Sequence, residues 1–409
     1  MKKNLYHLLL SGSIVLLVSS CQKSIDKPFY PKEERSSVNA NAQSQNEKKV
    51  YVSTVDELYL VVNNPDNAGK QVILSPGTYL LNAAYPNGGR LELQTNMSIT
   101  GQPGNTGAVI INQSALPNSS FRLTPTVSVA GIRMGRGTNS LEWLSVVGGS
   151  ISANPLSAIE SDLLGRETNV TISHVFLDCN ASRIGILFRN RLDEHLNRVI
   201  NATLEYTEIA NATNGTGFGL GLQNRISGSS IKLSMKENYI HDCKIGVLNF
   251  NSGLGNPVDY CSLDITSVSD RIEYNGCGLD LSAGSGTPTA YANNGSVNVR
   301  MYGTTIKKNG VPQLLPNNGA LLSGIYSAGG YGTNVSNNLL SIGLWGCDIS
   351  DNNAPDIYAY GAFSTTVAVA GVYNRMDLRL SGLSANAVIE GAASSPVEPA
   401  GTNILNIIR

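Results

Sequence analysis

The sequence predicts an all-β solenoid, a stack of strand-built coils whose strands line up into parallel sheets. Three observations predict it. An apolar residue is followed seven positions later by Leu or Ile, and usually by Asn three positions after that, seven times between Val170 and Asn386. The copies start at Val170, Ala202, Leu233, Ile265, Val299, Ile342 and Met376, spaced 32, 31, 32, 34, 43 and 34 residues apart, a period that marks stacked repeats. Charged residues make up only 14% of the chain, and Asn, Gly, Ser and Thr dominate the polar set, which suits regular turns.

Each element of the repeat has a reason. Position +2 is apolar in six copies (Ile172, Leu204, Met235, Met301, Leu344, Leu378), with Ser267 the exception. The start and +2 share a face only in a strand, whose side chains alternate with period two. After a turn comes the second inward residue, at +7: Leu177, Ile209, Ile240, Ile272, Ile306, Ile349 and Leu383. Position +10 reads Asn180, Ala212, Cys243, Asn275, Asn309, Asn352 and Asn386. Asn is expected there at a corner, because it tolerates left-handed backbone, and stacked amides hydrogen-bond from coil to coil. Gly246-Val247 and Gly278-Leu279 then open a further strand. A leucine-rich repeat also places Asn after a short strand, but its period is about 20–29 residues and Leu dominates its frame.

Towards the N-terminus, Thr54-Val55-Asp56-Glu57 has capping-box spacing, and Leu58, Val61 and Val62 continue as one apolar face. A short helix there would cover the first coil and its open sheet edges. Pro76-Gly77-Thr78-Tyr79 and the stretch from Asn96 to Ser114 follow. From Ser53 to Ser114 the chain resembles the opening of right-handed parallel β-helix proteins of the pectin-lyase-like superfamily. With the repeats, the resemblance covers about 50–409. It implies a right-handed parallel β-helix with a short N-terminal capping helix. It implies little about activity, because the superfamily hosts lyases, hydrolases, esterases, epimerases, tailspikes and non-enzymes.

Residues 1–21 read as a leader. Lys2 and Lys3 precede a short apolar core, and Val18-Ser19-Ser20-Cys21 resembles a bacterial lipobox, which implies that Cys21 is lipidated and becomes the mature N-terminus. Residues 22–49 are polar and charged, without apolar periodicity, and read as a tether. The expected address is the bacterial cell envelope, with the membrane contacted through the lipid anchor alone. A formal charge of −1 argues against nucleic acid as partner. The composition suits a polysaccharide or other glycan. Cys179, Cys243, Cys261, Cys277 and Cys347 fall at different frame positions, so they read as buried fillers rather than disulfide pairs.

No familiar catalytic motif is present: no GxSxG, no HExxH, and neither the polygalacturonase-like nor the pectate-lyase-like pattern. Outside the leader the histidines are His174, His195 and His241. The frame offers a search instead. Position +8 points outward, and equivalent residues of adjacent coils lie about 4.7–4.9 Å apart. That column reads Asp178, Ala210, His241, Glu273, Lys307, Ser350, Ser384, with Asp242, Tyr274, Lys308 and Asp351 beside it at +9. The candidate catalytic set is therefore His241, Asp242, Glu273 and Lys307. His241 or Lys307 would act as base, and the carboxylates would orient substrate or hold Ca²⁺. Two carboxylates there would also suit a hydrolase. A solvated stripe of paired charges explains the same residues.

Three other groups stand out. The loop from Arg183 to Arg198, which includes Arg189, Arg191, Asp193, Glu194 and His195, is dense in charge and offers Arg189 and Arg191 to an acidic glycan. Asp348, Asp351, Asn352, Asn353 and Asp356 present oxygens suited to Ca²⁺, or to corner turns. The 43-residue spacing implies an insertion at about 310–338, where Tyr326 and Tyr331 would stack on sugars. With only Trp143 and Trp345 in the chain, a broad aromatic platform is not expected. The function expected is polysaccharide binding, with cleavage as lyase or hydrolase. The alternative is a non-catalytic structural, adhesion or carbohydrate-binding module.

Overall fold

The computed structural model describes residues 48–116, 130–153, 167–180, 184–190, 198–215, 217–252, 257–286, 290–315, 322–332, 334–353, 355–363, 373–383, 387–395 and 402–409. They form a right-handed parallel β-helix. A typical coil runs Ser230–Lys236, corner, Tyr239–His241, corner, Ile245–Ser252. Strands of the first two kinds make one 19-stranded sheet that folds at the corner. Strands of the third kind make a ten-stranded second sheet, and Val258–Asp259, Ala292–Asn293 and Val335–Ser336 add a small third one.

The inward columns stack as the repeat predicts. Val170, Ala202, Leu233, Ile265, Val299 and Ile342 are successive register partners. So are Leu177, Ile209, Ile240, Ile272, Ile306 and Ile349. All twelve belong to one continuous core, and burying a large aliphatic side chain is worth about 1.5–3 kcal/mol.

The last copy differs. Met376 pairs with Leu340 and Leu378 with Ile342, so the seventh frame starts at Leu378, two residues later than the pattern implies. Because strand side chains repeat every two residues, a slip of two keeps the same face inward, and alternation alone cannot detect it. Register is set at the strand's start, where Asn338 donates its side-chain amide to Asn374 Oδ1 at 2.9 Å.

The corner chemistry also needs correction. The left-handed residue is the one at +9: Asn211, Asp242, Tyr274, Lys308 and Asp351 have φ between 53° and 65°. Among the described +10 residues it is in the first copy that the Asn itself, Asn180, is left-handed, with φ 43°. In the fourth, fifth and sixth copies the +10 Asn is buried or nearly so and forms the expected ladder. Asn275 Nδ2 donates to Asn309 Oδ1 at 3.0 Å, Asn309 Nδ2 to Asn352 Oδ1 at 3.0 Å, and Asn352 Nδ2 to Asp356 Oδ1 at 2.9 Å. A side-chain amide carries both a donor and an acceptor, so it satisfies itself at strand spacing.

At the N-terminal end, the helix Val55–Val62 has the predicted capping box between Thr54 and Glu57, and it buries Leu58, Tyr59 and Val62. Strand Lys49–Val52 precedes it and pairs with Gln71–Leu74. All five cysteines after the leader are buried free thiols. The insertion is shorter than expected. Ile325–Gly332 is a regular strand of the second sheet, so the extra length precedes Ile325. Cys21, most of the tether, Arg183, Arg191, Asp193, Glu194, His195 and Asn386 lie outside the described residues.

Candidate functional site

His241, Glu273 and Lys307 are register partners on three successive short strands, so the structure brings them together. Each is already engaged. His241 Nδ1 meets Asp242 Oδ2 at 2.8 Å and its Nε2 meets Glu208 Oε1 at 3.1 Å, while the ring stacks on Tyr239. Burial alone would lower its pKa, but the hydrogen bonds to Asp242 and Glu208 carry it up to about 9. The imidazole is therefore a cation at neutral pH, donating from both nitrogens. Glu273 Oε2 accepts from Arg271 at 2.8 Å, and Lys307 pairs with Asp348, which raises its pKa. The stripe is a row of compensated charges whose His and Lys hold protons rather than accept them.

Arg189 and Tyr326 lie elsewhere, on the outer face of the second sheet. In strands Ile184–Asn190 and Phe218–Asn224 every residue is buried, so this sheet is covered on both faces. Its outer face carries a second apolar cluster, including Leu187, Phe218, Ile245, Cys277, Tyr326 and Tyr360. Tyr326 was expected as an exposed loop residue. It is 2% exposed, because alternation along Ile325–Gly332 turns it onto this covered face. Tyr331, on the same strand, is half-buried and stacked on Phe363. Arg189 is 1% exposed, in register with Gln223.

One row along this face reads Leu187, Gly221, Leu248, Asp280, Tyr326, Tyr358, Glu390. Asp280 is its first acid, and the sequence analysis missed it. It keeps partial solvent access yet is densely surrounded, and burial pushes its carboxyl up to about 7. Its register neighbour Tyr326 has a buried hydroxyl with no hydrogen-bond partner among the described residues. Burial first, then the Asp280 charge, raises the pKa of that hydroxyl, and Tyr331 is raised for the same two reasons. Tyr358, Tyr360 and Phe363 pack around Tyr326 with ring centroids 5.4–6.1 Å away. A signal was present in the sequence: Cys277–Gly286 is an otherwise uncharged strand with a single carboxylate at an outward position.

The arginines sit at the other end. Arg189 lies three strands from Asp280's strand, about 14 Å at strand spacing. Arg225 follows the next strand and is 5% exposed, and burial lowers its pKa. Asp356 closes the Asn ladder and also accepts from the Val388 backbone, so the group from Asp348 to Asp356 serves the corner. Among the described residues no cluster of three or more His, Cys, Asp or Glu is placed to hold a metal.

No protein-family model and no curated protein sequence matches the chain. The A-module of the Azotobacter vinelandii mannuronan C-5 epimerase AlgE4 superposes with a TM-score of 0.51 at 15% identity, over 87% of this chain and 94% of that one. The chain has the parallel β-helix fold of that module. At such identity the likeness to this β-helix concerns the fold. A pectate lyase (TM-score 0.35, 12% identity, 84% of this chain and 76% of that one) and the periplasmic alginate epimerase AlgG (0.34, 10%, 88% and 84%) also match this β-helix, more distantly.

Proposed function

We propose that the protein is a lipid-anchored envelope protein whose β-helix binds an acidic polysaccharide and acts on it along the outer face of the second sheet. The observation that carries this reading is the pairing of Asp280 with Tyr326. A uronate has a weakly acidic C–H beside its carboxylate, and removing that proton needs a base poised near neutral pH. A carboxyl at about 7 meets that need. The Tyr326 hydroxyl, with its pKa raised, stays protonated beside it. In an elimination, Asp280 takes the proton, the ring double bond forms, and the glycosidic C–O bond breaks. The departing oxygen then takes a proton from solvent water. Returning a proton to the opposite ring face instead would invert the sugar. The fold neighbour described above, a mannuronan C-5 epimerase module, supports this substrate class.

Hydrolysis fits this face less well. A two-carboxylate hydrolase spaces its acids about 5–9.5 Å apart. The next acid in Asp280's row is Glu390, three strands on, or about 14 Å. Hydrolysis would have to use the stripe of Asp242, His241 and Glu273.

The deciding experiment offers acidic and neutral polysaccharides to the purified protein and follows unsaturated uronate absorbance, reducing ends and uronate configuration. The expected result is unsaturated or inverted uronates, lost in Asp280→Asn. Reducing ends without unsaturation, lost instead in His241→Ala, Glu273→Gln or Lys307→Ala, would move the chemistry to the stripe. Binding without turnover would make the protein a carbohydrate-binding module.

A further inference from the structure

Val268, Tyr302, Trp345 and Ser381 are register partners, each the last residue of its strand on the outer face of the first sheet. The Tyr302 and Trp345 rings stack with centroids 4.9 Å apart and planes 13° from parallel. The indole bends back along its own strand over Gly343, where a Cβ would lie 2.1 Å from the ring. Glycine at 343 is thus what lets the ring lie there. The stack then ends, because the next member of the column is the small, exposed Ser381. Among the described residues no cation lies over the indole face turned away from Tyr302.

The surroundings keep that face open. The chain turns after Trp345 at Gly346, with φ 59° and nothing within 4 Å of where a Cβ would sit. The matching corners of earlier coils carry the side chains of Tyr206 and Glu237. Arg379 is the register partner of Gly343, one strand beyond the indole. It is exposed, and it makes no hydrogen bond or salt bridge among the described residues.

We propose that Trp345 and Arg379 form a second glycan subsite, distinct from the Asp280 face, that takes one acidic sugar ring. The apolar C–H face of a pyranose packs on the free indole face, and the guanidinium pairs with the ring's carboxylate in a planar, two-bond geometry. The small side chain of Ser381 leaves the step into which the ring fits. This inference rests on the reading of the protein as a polysaccharide binder, but on none of the residues of the Asp280 site.

The test is affinity electrophoresis of the purified protein in native gels containing polygalacturonate, alginate or, as neutral control, dextran. Wild type is expected to be retarded by at least one acidic polymer and not by dextran. Trp345→Ala, and Gly343→Ala, which pushes the indole aside, should bind about ten-fold more weakly, roughly the loss of one ring contact. Trp345→Phe should retain most of the affinity, and Arg379→Gln should lose the preference for acidic over neutral polymer. If Trp345→Ala and Arg379→Gln are retarded like wild type, or dextran retards as strongly as the acidic gels, this subsite is refuted while the Asp280 reading stands. If wild type binds none of the acidic polymers, both readings fall together.

Discussion

Asp280 and Tyr326 stand side by side on neighbouring parallel strands, a carboxyl and a hydroxyl on the same covered face. No arginine or lysine neighbours Asp280 in its row, so nothing offsets the cost of desolvating its charge. The carboxyl therefore titrates at about 7 rather than near 3.8.

Stability should follow from that shift. A carboxyl with a raised folded pKa contributes stability fully present below about pH 4, and that stability is lost as pH rises through about 7. At about 1.4 kcal/mol per unit, the loss at alkaline pH reaches up to about 4 kcal/mol. Asp280→Asn removes the ionisation. Its melting temperature should exceed that of wild type at about pH 8.5 and match it near pH 4. Thermal melts across this range check it, and parallel curves for the two proteins would count against a densely surrounded, uncompensated Asp280.

The Asn ladder makes a second, independent claim. Asn309 Oδ1 accepts from the backbone and side chain of Asn275, while its Nδ2 donates to Ile272 O and Asn352 Oδ1. Asn309→Ala strands donors and an acceptor in the interior, at a cost of about 2–4 kcal/mol. Urea titration should show a lower midpoint with an unchanged slope. A loss under about 0.5 kcal/mol would mean that the amides are satisfied otherwise.

His241 gives the opposite test on the stripe. Its folded pKa, about 9, lies above the ordinary value of 6.5. Its ion pairs with Asp242 and Glu208 thus stabilise the fold fully below about pH 6.5, and this is lost as pH rises through about 9. His241→Gln should flatten the stability profile between those limits and leave the profile near pH 4 set by the carboxylates. NMR titration of the imidazole checks the value directly; a midpoint near 6.5 would show that the two carboxylates do not hold it.

The address rests on Cys21. Cys21→Ala should release the protein from the membrane fraction and abolish incorporation of labelled fatty acid. Wild-type protein without a lipid label would end the lipoprotein proposal.

Much of the fold was legible because a solenoid repeats one local problem. Ile240, Ile272 and Ile306 recur at one phase of the frame, and each is fully buried. The places where reading failed share a cause. The slip at Met376 preserved side-chain alternation, so only the contact between Asn338 and Asn374 reveals it. The left-handed corner residue is Asp, Tyr or Lys as readily as Asn, so no residue type announced it. Tyr326 looked like part of an insertion because a long spacing does not say at which end the extra residues lie.

The sequence by itself determined the coil, its inward columns and the neighbourhood of His241, Glu273 and Lys307, because side-chain period and strand spacing are local properties that stacking only repeats. Tertiary structure decided what covers the second sheet. Whether an outward residue such as Asp280 meets water or a tyrosine depends on segments distant in sequence, and no local pattern encodes that. The same holds for Trp345, whose open face depends on a serine 36 residues on and on the glycine beneath the ring. Burial by distant neighbours sets the pKa of Asp280, and so it was the packing of coils, rather than the repeat, that separated a row of solvated charges from a carboxyl poised near neutrality.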